Sequence, residues 1–375
     1  EITSYYTAKR GNIKLIEMTK RAGAASLPSI QIADIKEDRL LGNNSIITSK
    51  LRSEIIENKK RGEQTILFLN RRGYTSYFRC NNCSYIFKCP NCDIALTYHK
   101  KNNLLHCHYC SHVEKNITNC PVCGSDNIKV STIGTEKLED EIKDISKDLK
   151  VIRMDADTTV TKDSLENILS DFREKKADVL IGTQMISKGH DFPNVTLVGI
   201  LGVDNLLSLS EYTSNERAYQ NLCQVAGRAG RAEKKGRVII ETTEHENYII
   251  QAVVNGSYKE FYEKEINYRN MFEYPPFCDI LLFELSSEDV TLLKKDSIIL
   301  FDILNDDRME DLNFKLFSPK APHIQKLNNK YRINVLVKTI LSDKVYKYVY
   351  QKIEKFSQVK NKKVNMTISK NPASI

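Results

Sequence analysis

DVLIGTQMISKGHDFPNVTLVGILG, residues 178–202, is the stretch that decides the fold of this 375-residue chain. Its two apolar runs, DVLIGT (178–183) and VTLVGILG (195–202), are too short for helices and lack polar alternation. Runs of this kind are strands buried on both faces, the pattern of a parallel sheet. Working outward, a helical stretch (161–175) precedes them, and before it come KVIRMD (150–155), a second helical stretch (135–149) and NIKVSTI (127–133). Downstream lie a helix around 213–226 and RVIIET (237–242); far upstream, QTILFLN (64–70) follows a helix at 47–61. Strands alternating with helices predict an α/β domain with a parallel sheet. Ligand-binding loops of such sheets lie at the carboxyl ends of the strands, and both motifs described next are expected there.

The first motif is IGTQMISKGHDFPNV (181–195). Gly182 and Gly189 permit sharp turns, and Thr183 and Gln184 offer polar groups to a phosphate chain. The second is QVAGRAGR (224–231), late in or just after a helix. Arg228 and Arg231 are three apart among small residues, which leaves a planar guanidinium free to clamp a transferring phosphoryl group. Either motif alone is weak; the two in this order on one sheet are specific.

Eight of the ten cysteines form four C-x-x-C pairs: Cys80/Cys83, Cys89/Cys92, Cys107/Cys110 and Cys120/Cys123. Each pair presents two thiolates at the separation of tetrahedral zinc ligands, so the pattern predicts two structural Cys₄ zinc sites. Five residues separate Cys83 from Cys89 and fourteen separate Cys92 from Cys107. This favours a nested grouping, Cys89, Cys92, Cys107 and Cys110 inside Cys80, Cys83, Cys120 and Cys123, with an interleaved cross-brace as the alternative. His99, His106, His108 and His112 are then surplus to the coordination. With every ligand position filled by thiolate, the metals supply folding energy rather than activate water. Cys223 and Cys278 lie outside the pattern and are expected to be buried as small apolar residues.

Composition is that of a globular protein, 41 % apolar and 28 % charged. No stretch approaches the ~20 apolar residues of a membrane span, and no signal-peptide pattern follows Glu1, which predicts a cytoplasmic chain without membrane contact. From Ser318 to Ile375 there are 13 Lys/Arg against two acids, a local charge of +11, so the other 317 residues carry −3. This end is either a solvated lysine-rich face or a polyanion-binding module. Lys326, Lys330, Tyr331 and Arg332 are the candidate DNA contacts, because an aromatic between cations can stack a base. Tyr331 fits a core position equally well.

The two motifs resemble motifs V and VI of superfamily 2 helicases. ILFLNRRGY (66–74), the eight-cysteine insert, GTE (134–136), YPPF (274–277) and SPKAPHIQKLNNKYR (318–332) narrow the resemblance to the primosomal, replication-restart DNA helicase family, PriA. SYYTAK (4–9) is similar to the segment just after that family's motif III, so the resemblance spans the whole chain and places it in the family's C-terminal portion. It implies a RecA-like second helicase lobe interrupted by the two-zinc module and followed by a small α+β C-terminal domain. The corresponding divisions are an opening segment (1–46), the lobe (47–79 and 124–275), the zinc insert (80–123) and a basic DNA-binding domain (276–375). Gln224, Arg228 and Arg231 would face ATP, with Arg231 as arginine finger. Gly189 and Asp191 would line the nucleotide side of the cleft, and Thr183 and Gln184 would touch the single strand. The resemblance also implies the nested zinc grouping and an ATP-dependent 3′-to-5′ DNA helicase that promotes primosome assembly at stalled forks. Its partners would be branched and single-stranded DNA, other primosome proteins and single-stranded-DNA-binding protein.

The sequence departs from the family in three respects. It has no G-x-x-x-x-G-K-[ST] and no D-E-x-H, so ATP and Mg²⁺ would bind only together with the family's first lobe, and the chain alone would be inactive. Glu139, Asp140 and Glu141 are read as solvated helix charge. Lys370 stands where an acid is expected. The competing function class is a non-catalytic zinc-ribbon module for nucleic acid or a protein partner that merely retains a helicase lobe.

Overall fold

Ile66 and Phe68 point to one side of the strand Gln64–Leu69, Leu67 and Leu69 to the other, and all six residues are buried. A strand with no wet face has to sit inside a sheet covered on both sides. The computed structural model builds that sheet. It describes residues 1–18, 27–70, 77–80, 82–83, 85, 87–91, 96–99, 104–107, 112–115, 118–131, 135–155, 158–159, 161–183, 186, 192–207, 211–230, 234–306, 312–322 and 324–373. At 77, 79, 97–99, 115, 129–131 and 162 it describes the backbone alone.

In chain order the first elements are α1 (Ile2–Lys9), β1 (Ser29–Asp34), α2 (Ile35–Leu40), α3 (Ser49–Lys60) and β2 (Gln64–Leu69). The insert holds β3 (Tyr77–Cys80), β4 (Thr97–His99), β5 (Leu104–His106), β6 (Val113–Lys115) and β7 (Ile128–Ser131). Then come α4 (Thr135–Ile145), β8 (Val151–Met154), α5 (Lys162–Arg173), β9 (Val179–Gly182), β10 (Val195–Leu201), α6 (Asp204–Leu207), α7 (Ser214–Ala226) and β11 (Arg237–Thr242). Helices α8 (Tyr248–Val254) and α9 (Tyr258–Met271) lead to the C-terminal elements β12 (Asp279–Ser287), α10 (Val290–Leu304), β13 (Lys315–Lys320), β14 (Lys326–Leu327), β15 (Lys330–Thr339), α11 (Asp343–Val359) and β16 (Asn365–Lys370).

Six parallel strands pair in the order β1-β11-β10-β2-β9-β8. Helices α5, α7, α8 and α9 cover one face, and Ile2 of α1 reaches the same core. Helices α3 and α4 cover the other. Gly199 of β10 lets α3 approach: a Cβ there would stand 2.7 Å from Leu67 Cδ2 and 3.0 Å from Leu51 Cδ1. Residues 29–34, read from the sequence as part of an opening segment, form the edge strand β1 along β11. NIKVSTI was expected among the sheet strands, but β7 pairs antiparallel with β3 as the stem of the insert. The sulfurs of Cys80, Cys83, Cys120 and Cys123 cluster at the inner end of this stem. Glu141 is also more than solvated charge, since it accepts the Ile46 N–H at 2.8 Å and the Ser45 hydroxyl.

The C-terminal strands form an antiparallel sheet in the order β13-β15-β12-β16, with β14 folded onto β15. Helices α10 and α11 pack on one face around Phe283, Leu300, Val337 and Phe356. This is a split βαβ arrangement of the ferredoxin-like kind. Lys370 fits it: at the end of β16 it lies 3.4 Å from Asp279 of the neighbouring strand. No helix among the described residues is long and apolar enough to cross a membrane.

A buried carboxylate secures α3 to the sheet. Glu241 of β11 accepts the backbone N–H and the hydroxyl of Thr48, both at 2.7 Å, and Thr48 in turn caps α3. Burial, with Asp38 and Glu141 nearby, pushes the Glu241 carboxyl up to about 7 from 4.5. The folded protein therefore holds a proton that the unfolded chain releases, and stability falls as pH rises from about 4.5 to about 7. The effect is on the order of 3 kcal/mol at most. Glu241→Gln keeps the accepting oxygen and deletes the charge. Urea unfolding of this variant from pH 5 to 8 should lack that loss; an identical slope in both proteins would exclude Glu241 as its source.

Candidate functional site

Three of the four cysteine knuckles share one backbone device. Cys80 N–H donates to Tyr85 O at 2.9 Å, Cys107 N–H to His112 O at 2.8 Å and Cys120 N–H to Ser125 O at 2.8 Å. Each bond closes a loop from the first cysteine of a pair to the residue five further on. The sulfurs of Cys80, Cys83, Cys120 and Cys123 all lie within 4.8 Å of one another, with Cys80–Cys123 and Cys83–Cys120 at 3.5 Å. Thiolates bound at ~2.3 Å to one tetrahedral zinc stand about 3.8 Å apart, so these four residues fit that ion. The N–H groups of Cys83 and Asn82 aim at Cys80 and pull its thiol down to about 7, which favours the ligating thiolate. Cys80 and Cys120 are buried, Cys83 and Cys123 exposed.

This cluster is the outer half of the nested grouping. Of the inner half, Cys89 and Cys107 are buried in one small core with Phe87, Leu96 and Leu105, while Cys92 and Cys110 lie outside the described residues. Cys223 and Cys278, outside the pattern, are half-buried; burial raises both thiols, that of Cys278 to about 11.

The two loop motifs are placed by the sheet. Thr183 is buried immediately after β9, at the carboxyl edge. Gly182 is fixed by packing, since a Cβ there would meet Ile186 Cδ1 at 2.3 Å and Met154 O at 2.7 Å. The second motif departs from expectation. Helix α7 runs back along the sheet, so its end lies at the amino edge of the strands: Gly230 N–H donates to Val195 O, the first residue of β10, at 3.1 Å. A motif at the end of a crossover helix cannot share the carboxyl edge with one at the end of a strand. The same bond nevertheless ties the second motif to the last residue of the first. Gly230 has φ +68°, and a Cβ on it would stand 2.2 Å from Gly236 N, a backbone atom. Only glycine fits there. Gln224 is exposed on the last turn of α7, and Arg228 is half-buried just beyond it. Gln184, Gly189, Asp191 and Arg231 lie outside the described residues.

The C-terminal candidates serve the fold first. Asn328 and Asn329, at φ +49° and +64°, make the two-residue turn of the β14–β15 hairpin. The hairpin docks on the zinc insert. Lys326 Nζ donates to Pro90 O at 2.8 Å, Asn329 N–H to Asn91 O at 3.1 Å, and Leu327 packs into the core around Cys89 and Cys107. Lys326 also lies 5.2 Å from the Tyr331 ring, and Arg332 pairs with Glu284. Of the four candidates, Lys330 is the exposed one, the other three being half-buried. Sequence reasoning missed both this hairpin and its docking surface; Asn-Asn at 328–329 is a turn signal that could have marked the hairpin, though not its partner. It also missed a buried ionic cluster, Glu216, Glu265 and Arg269, because an i,i+4 Glu–Arg pair looks like a surface pair.

Residues 89–115 match the PriA DNA helicase Cys-rich region (CRR) domain, and residues 115–233 match the helicase conserved C-terminal domain. The replication restart protein PriA of Bacillus subtilis (strain 168) is 37 % identical over 372 residues, covering 99 % of this chain and 46 % of the relative. That of Synechocystis is 35 % identical over 364 residues, 96 % and 43 %; that of Borreliella burgdorferi is 33 % identical over 368 residues, 98 % and 53 %. The chain thus spans about half the length of the curated relatives it matches. The non-catalytic alternative is not favoured by these likenesses, which cover both the zinc insert and the lobe. With its Cys-rich insert and its RecA-like parallel sheet, the chain belongs to the PriA replication restart helicase family, of which it holds the C-terminal portion.

Proposed function

We propose that the chain supplies the arginine side of an ATP-dependent, 3′-to-5′ DNA helicase that recognises stalled or branched forks and promotes primosome assembly. The observation that carries this reading is the loop at the end of α7. A glycine that no other residue can replace holds Arg228 there and anchors the loop to the end of the first motif. Arg228 and Arg231 are assigned to the γ-phosphate, with Arg231 as the finger and Gln224 beside them. Gly189 and Asp191 are assigned to the nucleotide side, and Thr183 and Gln184 to the single strand. ATP and Mg²⁺ would bind only with a lobe carrying a phosphate cradle, which this sequence lacks. Two structural zinc ions are proposed, the outer on Cys80, Cys83, Cys120 and Cys123, the inner on Cys89, Cys92, Cys107 and Cys110. The proposed units are the lobe (47–79 and 124–275) behind its opening segment (1–46), the zinc insert (80–123) and the C-terminal DNA-binding domain (276–375). Partner proteins of the primosome and single-stranded-DNA-binding protein are assigned to the longer protein.

Three measurements test this reading. Elemental analysis should find two zinc ions per chain, and Cys89→Ser should lose one while the sheet lobe stays folded; one zinc or none in the parent chain would sink the two-site assignment. The 375-residue chain should bind single-stranded DNA with a log–log salt slope of about −3.5 if ~5 phosphates are neutralised. Lys330→Ala should flatten that slope by about 0.7, and a flat titration from the start would contradict the DNA-binding assignment. The chain alone should show no DNA-stimulated ATPase. Joined to a lobe with the cradle it should hydrolyse ATP, and Arg231→Ala in that longer protein should cut turnover by about 10³–10⁵ while sparing DNA binding. An ATPase indifferent to Arg231→Ala would refute the finger.

A further inference from the structure

A continuous chain of side chains crosses from the C-terminal sheet to the helix that ends in the arginine motif. Lys338 of β15 is 9 % exposed, and burial holds its ammonium below the usual lysine value. It donates to Phe272 O at 2.7 Å and stands 3.8 Å from the centroid of the Tyr274 ring. Tyr274 stacks on Tyr212, centroids 5.1 Å apart and planes 11° from parallel. The Arg269 guanidinium of α9 lies 5.7 Å from the Tyr212 centroid. Arg269, 3 % exposed, donates to Glu216 of α7 at 2.8 Å, to Glu265 at 3.2 Å and to Pro275 O at 3.2 Å.

The carboxylates are completed by other donors. Glu216 accepts the Ile2 N–H at 2.9 Å and Gln220 at 3.1 Å; Glu265 accepts Tyr248 at 2.7 Å and Asn215 at 3.1 Å. A buried ion pair adds little stability over apolar residues of the same volume. What a planar guanidinium with three fixed acceptors does supply is orientation. Glu216 lies on the same straight helix as Gln224, about two turns upstream, so a rotation imposed at Glu216 reaches the arginine loop.

We infer that Lys338 and Arg269 are positioning residues that lock α7 to the C-terminal sheet, so that the seat of the C-terminal domain sets the place of the arginine motif. The catalytic half of this inference rests on the reading of that motif given above; the locking does not.

The test uses Lys338→Met, which keeps the apolar stem and removes the cation, and Lys338→Arg, which keeps a cation. In the 375-residue chain, amide hydrogen exchange across residues 214–226 should speed up about tenfold in Lys338→Met, between the sizes expected for an exposed and a fully desolvated cation–aromatic contact. It should return toward the parent rate in Lys338→Arg. Unchanged exchange in α7 would overturn the locking, since a merely space-filling lysine is replaced by methionine without effect. In the longer, ATP-hydrolysing protein, Lys338→Met should lower DNA-stimulated kcat about tenfold with KM for ATP within about twofold. Faster exchange with unchanged kcat would overturn the catalytic half alone. An ATPase indifferent to Arg231→Ala would instead sink the reading of the motif and leave the exchange result standing. Should Lys338→Met fail to fold, Tyr274→Leu breaks the same stack at its centre and is read by the same two measurements.

Discussion

Six parallel strands with apolar side chains on both faces impose the constraint from which the other features follow. Such a sheet cannot leave its apolar faces to water, and helices cover them, α5, α7, α8 and α9 on one side and α3 and α4 on the other. Helix direction then sorts the loops. Segments that leave a strand, as Thr183 does, emerge at the carboxyl edge. Segments that leave a crossover helix, as Arg228 does, emerge at the amino edge, where Gly230 is bonded to Val195. Between Thr183 at one edge and Val195 at the other the chain passes from edge to edge, so the first motif begins at the edge opposite Arg228 and ends bonded to Gly230.

The insert solves a different problem. Its three-stranded sheet β4-β5-β6 and stem β3-β7 enclose only a small core around Phe87, Leu96 and Leu105. The four-cysteine cluster, if it holds a zinc, would add folding energy there, and backbone closures at Cys80, Cys107 and Cys120 bend the chain at three of the knuckles. The β14–β15 hairpin adds Leu327 to that core from the C-terminal domain. Docking therefore draws on residues whose charge suggested DNA. Lys326 and Arg332 have partners inside the protein, which leaves Lys330 at the tip as the cation most available to a phosphate.

Read alone, the sequence determines what depends on local pattern and spacing. Apolar runs without alternation are strands buried on both faces, four C-x-x-C pairs are metal knuckles, and glycine beside arginine is a tight basic loop. The nested outer grouping was legible because loop length limits which knuckles can meet. The tertiary structure alone decided what depends on partners distant in the chain. NIKVSTI is as apolar as a sheet strand, yet β7 pairs antiparallel with β3 beside the cysteine cluster and not with the parallel sheet. Glu265 and Arg269 have the spacing of a surface pair, yet they are buried because Glu216, some fifty residues earlier, completes their hydrogen bonds. The edge on which the arginine motif lies follows from the direction of α7 against the sheet. Spacing along the chain carries no information about direction in space, and burial of a charge depends on groups that only folding brings together.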